Sequence, residues 1–297
     1  MARRGLPEGG SSRSGATSAG RRRALISRRA LLQMAAVGGA GVATGSAGYG
    51  LLYERHRLDV THTNVPVSGL PEALDGLRIA LVTDTHFSAT VPAEDIERAV
   101  RAAVDARPDL VALGGDYVTW GDRRYVAGAA DLLAPLQAPH GVFAILGNHD
   151  DDRDMPAALT AKGFTVLKDA RTRIVVRGEP LDIAGIRFWT RRIDRLARVL
   201  QGATGTTLLL AHDPRRLREA ADLNVPLMLS GHTHGGQIVL PGLGAIAART
   251  FPVTAGFGRR ENTSIYVSRG IGTVYVPIRL NCPPEVAILT LRRLAEY

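Results

Sequence analysis

Five short polar segments of this sequence contain residue types that bind metal ions, and each follows an apolar run. They are Thr83-Asp84-Thr85-His86, Gly114-Gly115-Asp116-Tyr117, Gly147-Asn148-His149-Asp150, His212-Asp213-Pro214 and Gly231-His232-Thr233-His234-Gly235-Gly236-Gln237. In the last segment, two imidazoles separated by one residue can point to the same side of extended backbone. If the segments converge, Asp84, His86, Asp116, Asn148, His212, His232 and His234 supply two carboxylates, one amide oxygen and four imidazoles.

This ligand set suits divalent ions of borderline softness, such as Mn, Fe, Zn or Co. Magnesium or calcium would prefer more oxygen ligands, and a structural zinc site would use thiolates. Seven ligands are too many for one ion. The segments therefore predict two divalent ions that share a bridging carboxylate.

Each of these residues also has an ordinary structural explanation when it is taken alone. Asp84 and Asp116 could cap helices, and Asn148 could lie in a turn. His212 follows four apolar residues and could be a hydrogen-bonded core histidine. The His-x-His pair alone is as consistent with solvated or core histidines as with ligands. The joint occurrence of all five segments at the ends of apolar runs favours one shared site.

The runs that precede these segments are typical of buried strands, and helical patterns lie between several of them. Strands are predicted at 57–67, 77–82, 109–113, 142–146, 165–167, 172–176, 181–186, 207–211, 226–230, 264–268, 273–276 and 286–291. Helices are predicted at 92–106, 122–136, 155–162, 194–200 and 215–222, and loops fill 241–263. Alternation of this kind indicates an α/β fold with its chemistry at the carboxyl ends of strands.

Taken in order, the five segments resemble the signature of the calcineurin-like metallophosphoesterase superfamily. The match by motif covers roughly residues 75–240. Gly-Asp-Tyr-Val, His-Asp-Pro and the late run Arg279-Leu280-Asn281-Cys282-Pro283-Pro284-Glu285 resemble its bacterial, twin-arginine-exported phosphodiesterase-like branch. The resemblance implies a four-layer α/β fold, in which two mixed β-sheets pack as a sandwich flanked by helices.

The resemblance also implies a role for each site residue. One ion would be held by Asp84, His86, Asp116 and His234, and the other by Asp116, Asn148, His212 and His232, with Asp116 as the bridge. His149 would stabilise the transition state or protonate the leaving alkoxide, and Asp150 would orient it. The implied reaction is hydrolysis of a phosphodiester by a metal-bridging hydroxide. A small-molecule or lipid-linked phosphoester is the expected substrate, with cell-envelope lipids or polymers as candidates.

Two other functions stay open at this point. The protein could be a phosphomonoesterase that acts on nucleotides or phosphoproteins, or an inactive membrane-attached metal-binding module. Intact His149 and Asp150 favour an enzyme, because a binding scaffold needs no proton donor. The loops at 187–205 and 241–263 are expected to shape the pocket. Four arginines, Arg191, Arg192, Arg269 and Arg279, could contact a phosphate but are expected to have surface or structural roles.

The first 53 residues have the composition of a targeting segment. Of the net charge of +9, residues 1–53 hold +7. Ser27-Arg28-Arg29-Ala30-Leu31-Leu32-Gln33 leads into a Gly/Ala-rich apolar run that ends at Tyr53, which resembles a twin-arginine export signal. A membrane helix with positive flanks is the alternative, and cleavage after Ala47 and retention as an anchor both stay open.

We therefore predict a signal or membrane anchor over 1–53 and a metallophosphoesterase domain over 54–297. The expected partners are the twin-arginine export machinery and, through the N-terminal segment, the membrane. The expected location is the outer face of the cytoplasmic membrane, the cell wall or the medium. The domain itself carries only +2, so its bulk charge does not favour a nucleic-acid partner. Its single cysteine, Cys282, excludes an intramolecular disulfide and is expected to be a buried thiol.

Overall fold

The structure is a computed structural model that describes Met1 and residues 27–294. The Arg-, Ser- and Gly-rich part of the predicted signal before Ser27 lies outside the described residues. Helix α1 runs from Arg28 to Leu52, although its many glycines predict a poor helix. None of the helices within residues 27–294 combines the length and hydropathy needed to cross a bilayer. The chain from Thr44 onward forms one compact unit, and the predicted boundary after residue 53 stays a prediction.

Helices and strands alternate through most of this unit. The further helices are α2 Ala93–Asp105, α3 Val126–Leu133, α4 Asp154–Ala161, α5 Ile193–Leu200 and α6 Leu217–Asp222. The strands are β1 Asp59–Val67, β2 Arg78–Val82, β3 Leu110–Leu113, β4 Val142–Ala144, β5 Thr165–Val166, β6 Ala170–Val176, β7 Glu179–Gly185, β8 Thr206–Leu210, β9 Leu227–Ser230, β10 Gly256–Arg260, β11 Thr263–Val267 and β12 Glu285–Arg293.

Within residues 27–294 these strands form two six-stranded mixed sheets. The first has the order β1-β12-β2-β3-β4-β5, and the second has the order β10-β11-β9-β8-β7-β6. Strands β2, β3 and β4 are parallel, as are β7, β8 and β9 in the second sheet. The carboxyl ends of each parallel set therefore lie at one edge of its sheet, where the loops that follow can meet.

Side-chain alternation divides the core into layers. Ile79 and Leu208 belong to the cluster between the two sheets. Ala80, the neighbour of Ile79, packs instead with Ile96 of α2. Leu209 packs with Ala220 of α6 on the outer face of the second sheet. The order is helices, sheet, sheet, helices, so the predicted four-layer fold is confirmed.

The element predictions are wrong in two places. Residues 256–260, predicted as loop, form the exposed edge strand β10, which pairs antiparallel with β11. Residues 273–276, predicted as a strand, lie outside the strands of both sheets. The side chain of Gln237 explains the second case. Its Oε1 accepts from the backbone N–H of Val274 at 2.9 Å, and its Nε2 donates to the carbonyl of Val276 at 2.7 Å.

Candidate metal centre

The predicted ligands come from loops at the carboxyl ends of parallel strands in both sheets. Asp84 and His86 follow β2, Asp116 follows β3, Asn148 follows β4, His212 follows β8, and His232 and His234 follow β9. The structure brings six of these seven into two groups, each with ligand atoms within 4.8 Å of one another. The groups are Asp84, His86 and His234, and Asp116, His212 and His232.

The two groups are adjacent, and five of their atoms form a closed ring. Asp84 Oδ1 lies 3.4 Å from His234 Nε2, which lies 3.1 Å from His86 Nε2. His86 Nε2 lies 3.6 Å from Asp116 Oδ2, which lies 3.1 Å from His212 Nε2. The ring closes between His212 Nε2 and Asp84 Oδ1 at 3.8 Å. Asp116 Oδ2 therefore neighbours a ligand from each group, as a bridging carboxylate must.

Buried polar side-chain atoms that lack a hydrogen-bond partner within the protein indicate whether metal ions fit here. Asn148 Oδ1 and His212 Nε2 are two of the buried side-chain atoms that lack such a partner. The other ring nitrogen of His212, Nδ1, donates to the Gly114 carbonyl at 2.7 Å. One fixed nitrogen and one free nitrogen is the usual state of a metal-binding imidazole. The residues present therefore fit a pair of divalent ions.

The electrostatics of the centre also favour cations. Burial lowers the pKa of His86 to about 3, and burial together with His212 lowers the pKa of His232 to about 4. Burial raises the pKa of Asp84 to about 6, against the lowering effect of His212. For His212, burial is outweighed by the carboxylates of Asp116 and Asp84, which raise its pKa to about 10. His86 and His232 are therefore neutral imidazoles that can bind a cation directly, whereas a cation bound by His212 would displace the proton that the two carboxylates hold there.

The backbone of the centre is strained where the ligands lie. Non-glycine residues rarely adopt positive φ, and each such residue costs about 1–3 kcal/mol. Five predicted ligands do so: Asp84 at 53°, His86 at 47°, Asp116 at 56°, His232 at 72° and His234 at 51°. Among the described residues, five of the fourteen non-glycine residues with positive φ are therefore candidate ligands of one centre.

Two motif glycines are required because the carboxylates pack directly against backbone. A Cβ at Gly147 would collide with Asp116 Oδ1, and a Cβ at Gly231 would collide with Asp84 Oδ2. Asp84 is also held by the backbone N–H of His232, which donates to its Oδ1 at 3.0 Å. The glycines of the Gly-Asn-His-Asp and Gly-His-x-His segments thus allow loops from both sheets to approach the carboxylates.

The Asp150 carboxylate holds backbone N–H groups in this structure, and its role in orienting His149 stays a prediction. Its carboxylate accepts from the backbone N–H groups of Asp116 at 2.7 Å, Tyr117 at 2.7 Å and Gly147 at 2.9 Å. These amides converge on the carboxylate inside the turn, so its oxygens are engaged there. Asp150 therefore fixes the loop that carries Asp116 in this structure.

The ring of His149 contacts Trp120. Its Nδ1 accepts from the Trp120 backbone N–H at 3.0 Å, and its ring centroid lies 4.4 Å from that of the indole. Its own backbone N–H donates to Asp116 Oδ1 at 2.8 Å. Burial lowers the pKa of His149. Because Nδ1 accepts a hydrogen bond, a neutral His149 carries its proton on Nε2.

Sequence reasoning missed three aromatic residues that flank the centre. Trp120 contacts His149, and Phe188 and Phe251 lie with their ring centroids 5.1 and 5.5 Å from that of His232. Phe188 and Phe251 come from the two loops that were expected to shape the pocket. Nothing in the residue types alone distinguishes these rings from core aromatics.

Arg279 and Cys282 have the structural roles expected of them. The Arg279 side chain is fully buried and donates to the carbonyls of Arg269, Gly270, Gly272 and Cys282 at 2.6–3.1 Å. Cys282 is a buried free thiol. Arg279 therefore fixes the segment around Gly270 and Gly272 and does not present its charge to the pocket.

Two cavities adjoin the centre and share the wall 274–276. One, of about 560 Å³, is lined by His232 and His234 and otherwise mainly by apolar side chains. The other, of about 590 Å³, is lined by Thr119 and Trp120 together with polar residues such as Arg124. Thr119 contacts His86, and Trp120 contacts His149. The first cavity is therefore lined by residues of the centre, and the second by residues that contact them.

A four-layer α/β fold with two adjacent carboxylate and imidazole groups at the shared strand edge defines a dinuclear metal-dependent phosphoesterase. Residues 77–236 match the calcineurin-like phosphoesterase family, and the chain belongs to that family.

Two curated relatives match nearly the whole chain. The uncharacterized metallophosphoesterase YkuE of Bacillus subtilis is 32% identical over 285 residues, covering 90% of this chain and 98% of its own. Phosphodiesterase YaeI of Escherichia coli is 32% identical over 288 residues, covering 90% of this chain and 100% of its own. A solved dimetal phosphatase from Danio rerio is 11% identical, with 66% of this chain and 88% of its own covered, and has a TM-score of 0.40.

Proposed function

We propose that this protein hydrolyses phosphodiesters. The observation that carries this proposal is the pair of cavities that adjoin one metal centre, because a diester has two substituents to accommodate and a monoester has one. The full-length similarity to a protein named phosphodiesterase YaeI supports the same preference.

In the proposed mechanism, Asp84, His86 and His234 would hold one ion, and Asn148, His212 and His232 would hold the other. Asp116 would contribute to both sites, since its Oδ2 lies next to both His86 and His212. Mn, Fe, Zn and Co are the candidate metals. When bound, such a pair supplies Lewis acidity toward the phosphate and lowers the pKa of water toward neutrality.

His149 supplies the proton chemistry of the proposed mechanism. The Trp120 N–H fixes its Nδ1 as an acceptor, so the proton of the neutral ring is on Nε2. From there it is donated to a phosphate oxygen or to the leaving alkoxide. The lowered pKa of this imidazole keeps it neutral near pH 7. The neutral ring can therefore act as a hydrogen-bond donor without adding charge beside the metal ligands.

Purified protein assayed with Mn²⁺ against an aryl phosphodiester and the matching phosphomonoester tests the preference. We expect a higher kcat/KM for the diester. Faster hydrolysis of the monoester would make the protein a phosphomonoesterase. Hydrolysis of neither ester, with two ions bound per chain, would instead favour a metal-binding module.

We further propose that the protein is exported by the twin-arginine route, to the outer face of the cytoplasmic membrane, the cell wall or the medium. The support is the run Ser27-Arg28-Arg29 directly before an apolar segment. Fusion of residues 1–53 to a reporter that folds in the cytoplasm tests this, with Arg28 and Arg29 both changed to Lys as the variant. We expect the double variant to block export, and unchanged export would refute the route.

A further inference from the structure

Most residues that line the apolar cavity beside the metal centre take no part in the chemistry described so far. Its volume of about 560 Å³ falls within the range of ligand pockets. Its lining includes Ile238, Leu240, Ile246, Phe251 and Val276, together with the metal-centre residues His232 and His234. A molecule whose phosphate lies at the centre can therefore extend directly into apolar surroundings.

Polar side chains in this lining are already paired within the protein. Gln237 uses its amide oxygen and nitrogen to hold the backbone of Val274 and Val276. The Thr233 hydroxyl donates to the Thr254 carbonyl at 2.6 Å. Because these polar groups are already paired, a ligand in this cavity would contact mainly hydrocarbon.

The two cavities also differ in the charged residues that line them. Among the described residues, no Asp, Glu, Lys or Arg lines the apolar cavity. The neighbouring cavity is lined by Asp122 and Arg124 and by the hydroxyl residues Ser88 and Thr90. A polar or charged substituent is therefore better accommodated in the second cavity, and a hydrocarbon substituent in the first.

Several side chains of the apolar cavity are partly exposed to water. The exposed fraction is 49% for Ile246, 81% for Tyr275 and 45% for Val276. A hydrocarbon lying against them would remove apolar surface from water, which favours its binding.

We propose that this cavity binds a hydrocarbon chain of the substrate, which makes the substrate an amphiphilic, lipid-like phosphoester. The inference rests on the proposed phosphodiesterase function and names the substrate class for the same site. The phosphate lies at the metal centre, one ester substituent lies along Ile246 and Val276, and the more polar substituent enters the second cavity.

A chain-length series tests the proposal on the full-length protein with Mn²⁺. The substrates are 4-nitrophenyl phosphodiesters whose second substituent is methyl, butyl or octyl, used below the concentration at which the octyl ester forms micelles. Each buried methylene favours binding about fourfold, so we expect kcat/KM to rise at least about tenfold from methyl to octyl. Calorimetric binding of octylphosphonate and methylphosphonate, which are not hydrolysed, measures the same preference without turnover.

Ile246→Asp tests whether this cavity is the source of the preference. A carboxylate there must be desolvated by the chain, so we expect the octyl-to-methyl ratio of kcat/KM to fall to nearly one. Val175→Asp is the matched control, because Val175 is 62% exposed on β6 and lines neither cavity. The control should keep the wild-type ratio.

The outcomes separate this inference from the proposed function. Equal kcat/KM for all three diesters in the wild type, with equal phosphonate binding, overturns the inference and leaves a phosphodiesterase. An unchanged ratio in Ile246→Asp overturns the assignment to this cavity. Failure to hydrolyse any diester overturns the proposed function, and the phosphonate affinities then decide alone whether the cavity binds hydrocarbon.

Discussion

At the scale of single residues, His149 has a backbone role and a side-chain role that mutation can separate. Its backbone N–H holds Asp116, while its ring contacts Trp120 and carries the proton proposed for catalysis. His149→Ala keeps the first contact and removes the second. We expect metal content to be unchanged and kcat to fall about 10²–10⁴-fold, the usual contribution of a positioned acid or base. Elemental analysis and steady-state kinetics measure the two quantities.

The control for this variant is His62→Ala, which removes an exposed histidine on β1. It should keep both metal and turnover. Loss of metal in His149→Ala would show that the ring is a ligand or supports one, contrary to the role proposed for it.

Substitution of Asp150 tests whether its carboxylate stabilises the loop or orients His149. In Asp150→Asn, an amide N–H₂ replaces one of the oxygens that accept from backbone N–H groups around Gly147 and Asp116. We expect the free energy of unfolding to fall by about 2–3 kcal/mol, because the new amide N–H₂ group would face backbone N–H groups that are also donors. Urea denaturation measures this change, with Asp152→Asn on the surface as the control. Full stability combined with the kinetic defect of His149→Ala would instead support the role of orienting His149.

At the scale of elements, the strands that the sequence predicted best are those buried on both faces. The run Leu110–Leu113 is apolar throughout, and all of its residues are buried in β3. Residues 273–276 have an equally strand-like composition, but Gln237 takes the backbone groups that a neighbouring strand would need. Local pattern cannot reveal a side chain that lies more than 35 positions away in the sequence. Edge strand β10 was missed for the opposite reason, since exposed strands need no apolar pattern.

The residues of the site also divide into those that the sequence could predict and those that it could not. Candidate ligands such as Asp84 and His212 could be singled out because their residue types occur at strand ends in a recognisable order, and the structure places them in the two groups. Trp120 and Phe188 could not, because their place beside the centre depends on the paths of loops. The positive φ at the ligands was also invisible, since the sequence does not place glycine at those positions.

The buried carboxylate of Asp182 in the hairpin β6–β7 provides a test at the scale of elements. Asp182 is fully buried on β7 and accepts from Arg173 at 3.0 Å and from the backbone N–H groups of Thr204 and Gly205 at 3.1 Å. Arg171 also pairs with it. Burial would raise the pKa of Asp182, but Arg173 and the other donors outweigh burial and lower it. The charged carboxylate therefore stabilises the folded state.

We expect Asp182→Asn to lose about 1–2 kcal/mol of unfolding free energy at pH 7, because two partly exposed arginines lose their charged partner and the backbone N–H groups of Thr204 and Gly205 face an amide in place of a carboxylate. A lowered folded-state pKa means that the wild-type advantage is complete above the unfolded-state pKa of about 4 and is lost as the pH falls below it. Urea denaturation of both proteins from pH 7 toward pH 3 should show the gap closing below about pH 4. A gap that does not change with pH would contradict this account.

At the scale of the whole molecule, the centre joins the two sheets. Asp84 and Asp116 follow strands of the first sheet, whereas His212, His232 and His234 follow strands of the second. Ions held by both sets would cross-link the sandwich at its strand edge. Because the ligands are scattered over about 150 positions of the sequence, the unfolded chain offers no comparable site.

Because the metal ions would bind the folded state and not the unfolded chain, they should stabilise the folded state by mass action. Free Mn²⁺ at 100 times its Kd should add about 2.7 kcal/mol to the free energy of unfolding, equivalent to a rise in Tm of about 5–10 °C. Scanning calorimetry after chelation and after return of Mn²⁺ measures the shift. Asp116→Asn is the informative variant, because it weakens the carboxylate that neighbours both ligand groups. It should lose most of the Mn²⁺-dependent shift, while Asp152→Asn should keep it; a full shift in Asp116→Asn would mean that the ions bind elsewhere.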